Sequence, residues 1–244
     1  MHDVYIILGA ARSGRRAIVF DLIDGGLSEL EPKTVYRATS ELASPYDEQL
    51  AALSQTRVID WEWNTLLQTP PPSSGAGSVF FITEGTRNPI DQIEALRSWM
   101  QRCHLSLARI ITVVDCQSAE RNSELSAWYH ACIHFTDYAL LNHRETVAEK
   151  WIRAFQRKYQ RECYPCLFGY VKKNKVGNPV EVLDPEPRRI SHYFDEIDAV
   201  DTLEIDEENL PDEVMDLTVP DDPYLQRLPS GQRKITIPDI KDYL

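Results

Sequence analysis

The sequence predicts an α/β fold: a mostly parallel sheet with helices on both faces, followed by an acidic, partly disordered C-terminal extension. Three observations carry this. Over residues 1–183, short apolar runs alternate with stretches of helical periodicity. Loops rich in glycine and charge follow several of the strand-like runs, where sheets of this kind hold ligands. From about residue 184 the alternation stops, proline becomes frequent and acidic residues dominate.

Val4–Leu8 is apolar, ends at Gly9 and reads as a buried first strand. Arg15–Leu22 has apolar residues at helical spacing and is followed by Gly25 and Gly26, a stop signal. Thr34–Arg37 reads as a strand, Asp47–Leu53 as a short helix and Arg57–Trp63 as another strand. Thr69–Ser78 (TPPPSSGAGS) has the composition of a surface loop. Val79–Ile82 and Arg109–Val114 are apolar strands, with a helix over Asp91–Met100 between them. Ser123–Phe135 and Thr146–Arg161 read as helices, and Tyr138–Leu141 and Leu167–Val171 as strands. The loops expected to carry chemistry are Gly9–Arg16, Thr83–Pro89, Asp115–Ala119 and Asn142–Glu145.

The chain has 244 residues and a net charge of −12. Residues 1–183 hold 21 acidic and 20 basic side chains, whereas residues 184–244 hold 17 and 6. The expected division is therefore a domain over 1–183 and an acidic extension over 184–244. That extension contains EIDEENLPDEVMD and suits a protein partner. It would repel nucleic acid. No apolar run approaches the roughly 18 residues of a membrane span. The acidic start and short first apolar run do not resemble a signal peptide. Five cysteines, an odd number, fit a reducing compartment. The expected location is cytoplasmic, with no membrane association.

The first loop, Gly9–Arg16 (GAARSGRR), lies between a strand and a helix with two glycines at the spacing of a P-loop, G-x-x-x-x-G-K-S/T. Arg15 stands at the lysine position and Arg16 at the hydroxyl position. A tight strand-to-helix turn is the plainer reading of the same residues. A short-chain dehydrogenase reading fails for want of a third glycine near Arg16 and of a lysine four residues after Tyr159.

Three later stretches extend the pattern: Thr83–Pro89 (TEGTRNP), Ile111–Asp115 (ITVVD) and Leu140–Glu145 (LLNHRE). As an ordered set over about residues 3–170 they resemble the CobW/HypB/UreG family of P-loop GTPases and metallochaperones. There the corresponding stretches are E-T-S/T-G-x-A-D/E-P, T-V-V-D and L-N-K-x-D. The resemblance implies a P-loop NTPase-like domain that binds GTP or another nucleotide through Gly9, Arg12, Ser13, Gly14, Arg15, Arg16, Gly85, Asn142 and Glu145.

The departures imply loss of efficient hydrolysis, a pseudo-GTPase with no catalytic residue to name. Ile82 stands where the family has the acid linked to Mg²⁺ and water, and Arg16 replaces the Mg²⁺-binding hydroxyl. Glu145 is one methylene longer than the aspartate that reads guanine. The family's C-x-C-C metal site is missing, since no cysteine precedes Cys103. The family's C-terminal domain is replaced by the acidic extension. Backbone N–H groups and Arg12, Arg15 and Arg16 can still hold phosphate; alternatively, the arginines pair with acidic residues of the protein itself.

Other constellations have plainer readings beside the functional ones. Cys163 and Cys166 form a C-x-x-C, and His130 and His134 lie one helical turn apart. These four are the candidate metal ligands, with the metal itself unknown; packed thiols and a packed histidine pair are the alternatives. An active metallochaperone would need them as replacement ligands. Lys150, Arg153, Arg157, Lys158 and Arg161 line one helix, with Lys172, Lys173 and Lys175 beyond. They form a solvated face or a receptor for the acidic extension. A purely structural, partner-binding protein is the third functional reading.

Overall fold

A computed structural model describes residues 2–64, 67–73, 75–195 and 222–243. The acidic run at 204–216, on which the expected disorder and partner binding rest, lies outside them.

The strands are β1 (His2–Leu8), β2 (Lys33–Ala38), β3 (Thr56–Trp63), β4 (Leu67–Gln68), β5 (Gly77–Ile82), β6 (Ser106–Asp115), β7 (Tyr138–Asn142), β8 (Leu167–Lys172) and β9 (Lys175–Val176). The helices are α1 (Arg15–Gly26), α2 (Pro45–Ala52), α3 (Pro89–Cys103), α4 (Cys116–Arg121), α5 (Ser123–His134), α6 (Glu149–Arg161) and α7 (Pro179–Leu183). One sheet has the order β4-β3-β2-β5-β1-β6-β7-β8-β9. Its seven inner strands are parallel, and only the short edge strands β4 and β9 run antiparallel to their neighbours. The expected α/β class is thus the observed one.

Strand β1 lies between β5 and β6, with β2 beyond β5. The chain leaves β1 in one direction and later returns to its other side. The loop after β1 therefore opens at a switch point, where neighbouring connections diverge and leave a crevice. Side chains alternate across the buried strands. Tyr5 and Ile7 join Ile18, Val19, Leu22 and Ile23 of α1, Leu50 of α2 and Val182 and Leu183 of α7 in one core. On the opposite face Phe81 stacks on Tyr36 and meets Trp61 and Trp99, the last from α3.

Several boundaries differ from expectation for identifiable reasons. Gly25 and Gly26 do not stop α1 before them but form its last two residues. A Cβ on Gly26 would come 2.7 Å from Leu183 Cδ1, so the glycine lets α7 lie against α1. The helix expected from Thr146 begins at Glu149. Strand β5 takes in Gly77 and Ser78 from the expected loop. Helix α2 starts earlier, at Pro45, because Ser44 and Asp47 form a capping box.

The chain stays on this body past residue 183. Arg109 is 1% exposed and donates to the carbonyls of Glu181, Val182 and Glu186. Asp137, fully buried, accepts from the Arg188 amide at 2.6 Å and pairs with Arg189 at 3.1 Å. Residues 1–190 and 237–244 make one compact unit and residues 191–236 a second. Within the first, Ile240 is completely buried. Within the second, Ser191 Oγ donates to Asp222 at 2.5 Å, and Arg227 and Arg233 form a β-bridge.

Candidate functional site

The loop between β1 and α1 is a tight cradle. Arg12 and Gly14 have φ of 65° and 91°, in the left-handed region. The Ser13 amide donates to the Ala10 carbonyl at 3.1 Å, and the Ala11 amide reaches the Gly85 carbonyl at 3.0 Å. The Asn142 side chain donates to the Ser13 carbonyl at 2.9 Å. Gly14 occupies the N-cap of α1 without any side-chain cap. The amides of the first helical turn thus have no side-chain acceptor from the cap and point towards an open space.

That space is a cavity of about 580 Å³. Its walls include Arg12, Gly14, Arg15 and Arg16 from the cradle, Glu41 from the loop before α2, Tyr46 from the first turn of α2, and Thr86, His143, Asn174 and Lys241. The structure therefore gathers four of the sequence-predicted residues: Arg12, Gly14, Arg15 and Arg16. Gly9, Ser13, Gly85, Asn142 and Glu145 are not on the cavity wall. Ser13 and Asn142 are buried behind it, and Glu145 is exposed. Asn142, assigned to a guanine base by the resemblance, braces the cradle from beneath.

Arg15 and Arg16 are already paired, and by residues that sequence reasoning missed. Arg15, 4% exposed, donates to the Thr83 carbonyl and lies 2.5 Å from Glu41. Arg16 donates at 2.8 Å to both the Leu42 carbonyl and Asp47. Asp47 also meets Arg37 at 3.3 Å. The alternative of internal ion pairs is thus realised for Arg15 and Arg16, with Glu41 coming from the β2–α2 connection and Asp47 from the first turn of α2. Burial works to raise the Glu41 pKa, but the charge and hydrogen bonds of Arg15, the Gly85 amide and Arg16 outweigh it. The carboxyl is held below its ordinary value. The sequence does carry one signal for this loop, since Ser44-Pro-Tyr-Asp47 reads as a capping box directly after an inner strand.

Gly85 does not present an open face. A Cβ there would collide with the Ala11 amide nitrogen and with Arg15 Nη2, and its own amide donates to Glu41 at 2.6 Å. Ile82, at the end of β5, is 1% exposed and belongs to the core. On the other side of the cavity His143, with φ 51°, holds Nδ1 3.3 Å from Asp115. That hydrogen bond raises the His143 pKa despite partial burial. Asp115 also caps α4 through the Ser118 amide.

The candidate metal ligands are separately engaged. The His130 ring packs 5.6 Å from Tyr159 and 5.9 Å from Tyr164, and His134 packs 4.8 Å from Phe135. Burial lowers the His130 pKa. Cys163 is exposed while Cys166 is buried, its thiol pushed up to about 12. Among the described residues no three His, Cys, Asp or Glu side chains are grouped as a metal site.

Fold and site together define a class: a parallel α/β domain whose first strand–loop–helix unit forms a P-loop-type cradle at the sheet's switch point. No protein-family model matches the chain, and no curated protein matches it in sequence. Among solved structures it is similar to the signal recognition particle receptor FtsY from Elizabethkingia anophelis. The identity is 15%, the match covers 75% of this chain and 64% of that one, and the TM-score is 0.46. It is also similar to the Zn(II)-bound YjiA GTPase from E. coli, with 12% identity, coverage of 76% and 66%, and a TM-score of 0.43. The chain thus spans slightly under two thirds of the length of either neighbour. No helix among the described residues is long and apolar enough to cross a membrane.

Proposed function

We propose that this protein is a phosphate- or nucleotide-responsive binding module, a pseudo-GTPase rather than an efficient hydrolase. The observation that carries the reading is the cradle itself. An uncapped helix N-terminus faces a cavity lined by Arg12, Arg15, Arg16 and Lys241. The helix dipole and N–H groups favour an anion there, and guanidinium groups match phosphate geometry. The Ser13 hydroxyl lies buried in the cradle without a hydrogen-bond partner among the described residues.

The same residues are a poor fit for Mg²⁺ chemistry. Arg16 occupies the position of the metal-binding hydroxyl and carries a positive charge, and Ile82 offers no ligand. Turnover would lack the metal that neutralises the transferring phosphoryl group. Calorimetric titration of the intact chain with GTP, GDP and ATP, each with and without Mg²⁺, tests the proposal. Saturable binding that does not require Mg²⁺, with no phosphate release, is expected. Absence of binding by all three would end it.

A second reading, a partner-binding protein that uses its surface charge, rests on α6. Its Lys150, Arg153, Arg157, Lys158 and Arg161 lie on its outer face with Glu149 and Glu162 at the ends, while Ile152, Phe155 and Tyr159 face inward. The acidic C-terminal extension is the internal competitor for this basic face. Deleting residues 196–221 should increase retention on a polyanion resin at low salt; unchanged retention would remove the idea.

A further inference from the structure

We propose that Glu41 is a resident stand-in for the ligand's phosphate, and that a phosphate-bearing ligand enters by expelling it and releasing the strap 40–43. This rests on the proposed phosphate binding and adds how the site is regulated.

The geometry around the carboxylate is that of an anion site already filled. Glu41 Oε1 receives the Arg15 guanidinium at 2.5 Å and the Gly85 amide at 2.6 Å, and Oε2 lies 3.6 Å from Arg16. The donors come from the P-loop-type helix start and from the loop after β5, so they converge from two separate elements on one point. The Glu41 side chain is 14% exposed and Arg15 only 3%. A guanidinium buried to that degree keeps its charge, and Glu41 is the anion that balances it here. One carboxylate or one phosphate can take these donors, not both.

Charge decides between them. Arg15, Arg16 and Arg37 are balanced by Glu41, Asp47 and Asp60, so the cluster is neutral as it stands. A phosphate bound beside the intact cluster would meet only the cavity cations Arg12 and Lys241, with the Glu41 carboxylate standing between it and Arg15. Replacing Glu41 lets the same phosphate use the Arg15 charge directly.

The strap is built to let go. Ser40, Leu42 and Ala43 are exposed, Leu42 at 80%, so little apolar surface anchors this stretch. Its links to the cradle are polar: Arg15 to Glu41, Arg16 to the Leu42 carbonyl, and the Gly85 amide to Glu41. Segments held this way open at low free-energy cost. Its ends are fixed, by β2 on one side and the Ser44–Asp47 capping box on the other. Residues 40–43 can therefore move without unfolding either element.

The test compares intact wild-type chain with Glu41→Gln, using pyrophosphate as the calorimetric probe, and follows amide hydrogen exchange of residues 40–43 in the wild type. The expected results are at least tenfold tighter binding by the variant and faster exchange in the strap when wild type is saturated. Wild-type binding with equal or weaker affinity in the variant, or slower strap exchange on saturation, overturns the stand-in and leaves phosphate binding intact. Failure of both proteins to bind overturns the phosphate reading and this inference with it. The exchange measurement needs only wild-type protein and stands even if the variant folds poorly.

Discussion

The Asn142 side chain donates to the Ser13 carbonyl across 129 positions of sequence, joining the end of β7 to the floor of the cradle. Asn142 is 2% exposed, and a Cβ on Gly14 would fall 2.6 Å from its Nδ2. The amide therefore acts as a strut under the left-handed turn. Asn142→Ala should destabilise the protein by about 1–3 kcal/mol, the cost of a buried carbonyl left without its donor. It should also weaken phosphate binding. Urea denaturation and calorimetry check the two effects, and wild-type values in both would show that the strut is dispensable.

Arg15 should be costly to remove for electrostatic reasons. With Arg15→Ala, Glu41 loses its closest cation in a half-enclosed position. A loss of about 3–5 kcal/mol is expected. Adding Glu41→Gln to that variant should recover much of it, because the stranded charge is then gone. A double-mutant cycle by chemical denaturation measures this, and strictly additive losses would mean that the pair is not coupled.

The His143–Asp115 pair makes a pH prediction whose sign follows from the raised histidine pKa. A raised folded-state value means that the pairing contributes fully below the unfolded value, about 6.5, and is lost as pH rises through the folded value. Asp115→Asn should bring the His143 titration, read by NMR, back towards the ordinary histidine range. An unshifted titration would show that Asp115 is not the cause.

Gly85→Ala tests how closely the loop after β5 rests on the cradle. The new methyl would strike backbone atoms of Ala10 and Ala11 as well as Arg15. Backbone cannot swing aside as a side chain can, so destabilisation of at least about 2 kcal/mol is expected. A thermal-unfolding midpoint equal to that of wild type would show that the loop has room to move.

How far the site was legible depends on the kind of signal. Gly14, Arg15 and Arg16 were readable because the P-loop pattern is local: a strand, a fixed glycine spacing and a helix start. Glu41 and Asp47 were not, because no spacing rule links residue 41 to residue 15. Their meeting depends on β2 and β1 being separated by only β5 in the sheet. Lys241 is the extreme case, a cavity residue from the far end of the chain, in a segment whose composition suggested no packed core. The direction of Asn142 was hidden for a related reason. A motif lists residue types, whereas the left-handed turn at Gly14 decides which backbone carbonyl the amide reaches.

By itself the sequence determined the class of fold, since alternating apolar runs of strand and helix length can bury their faces only as a layered α/β sheet. It also determined the uncapped, arginine-rich start of α1, which depends on neighbouring residues alone. Only the tertiary structure decided what those arginines do. A guanidinium at a helix N-terminus can meet a ligand or a carboxylate with equal chemical ease. Strand order brings the β2–α2 loop and the start of α2 over the cradle and so puts Glu41 and Asp47 within reach.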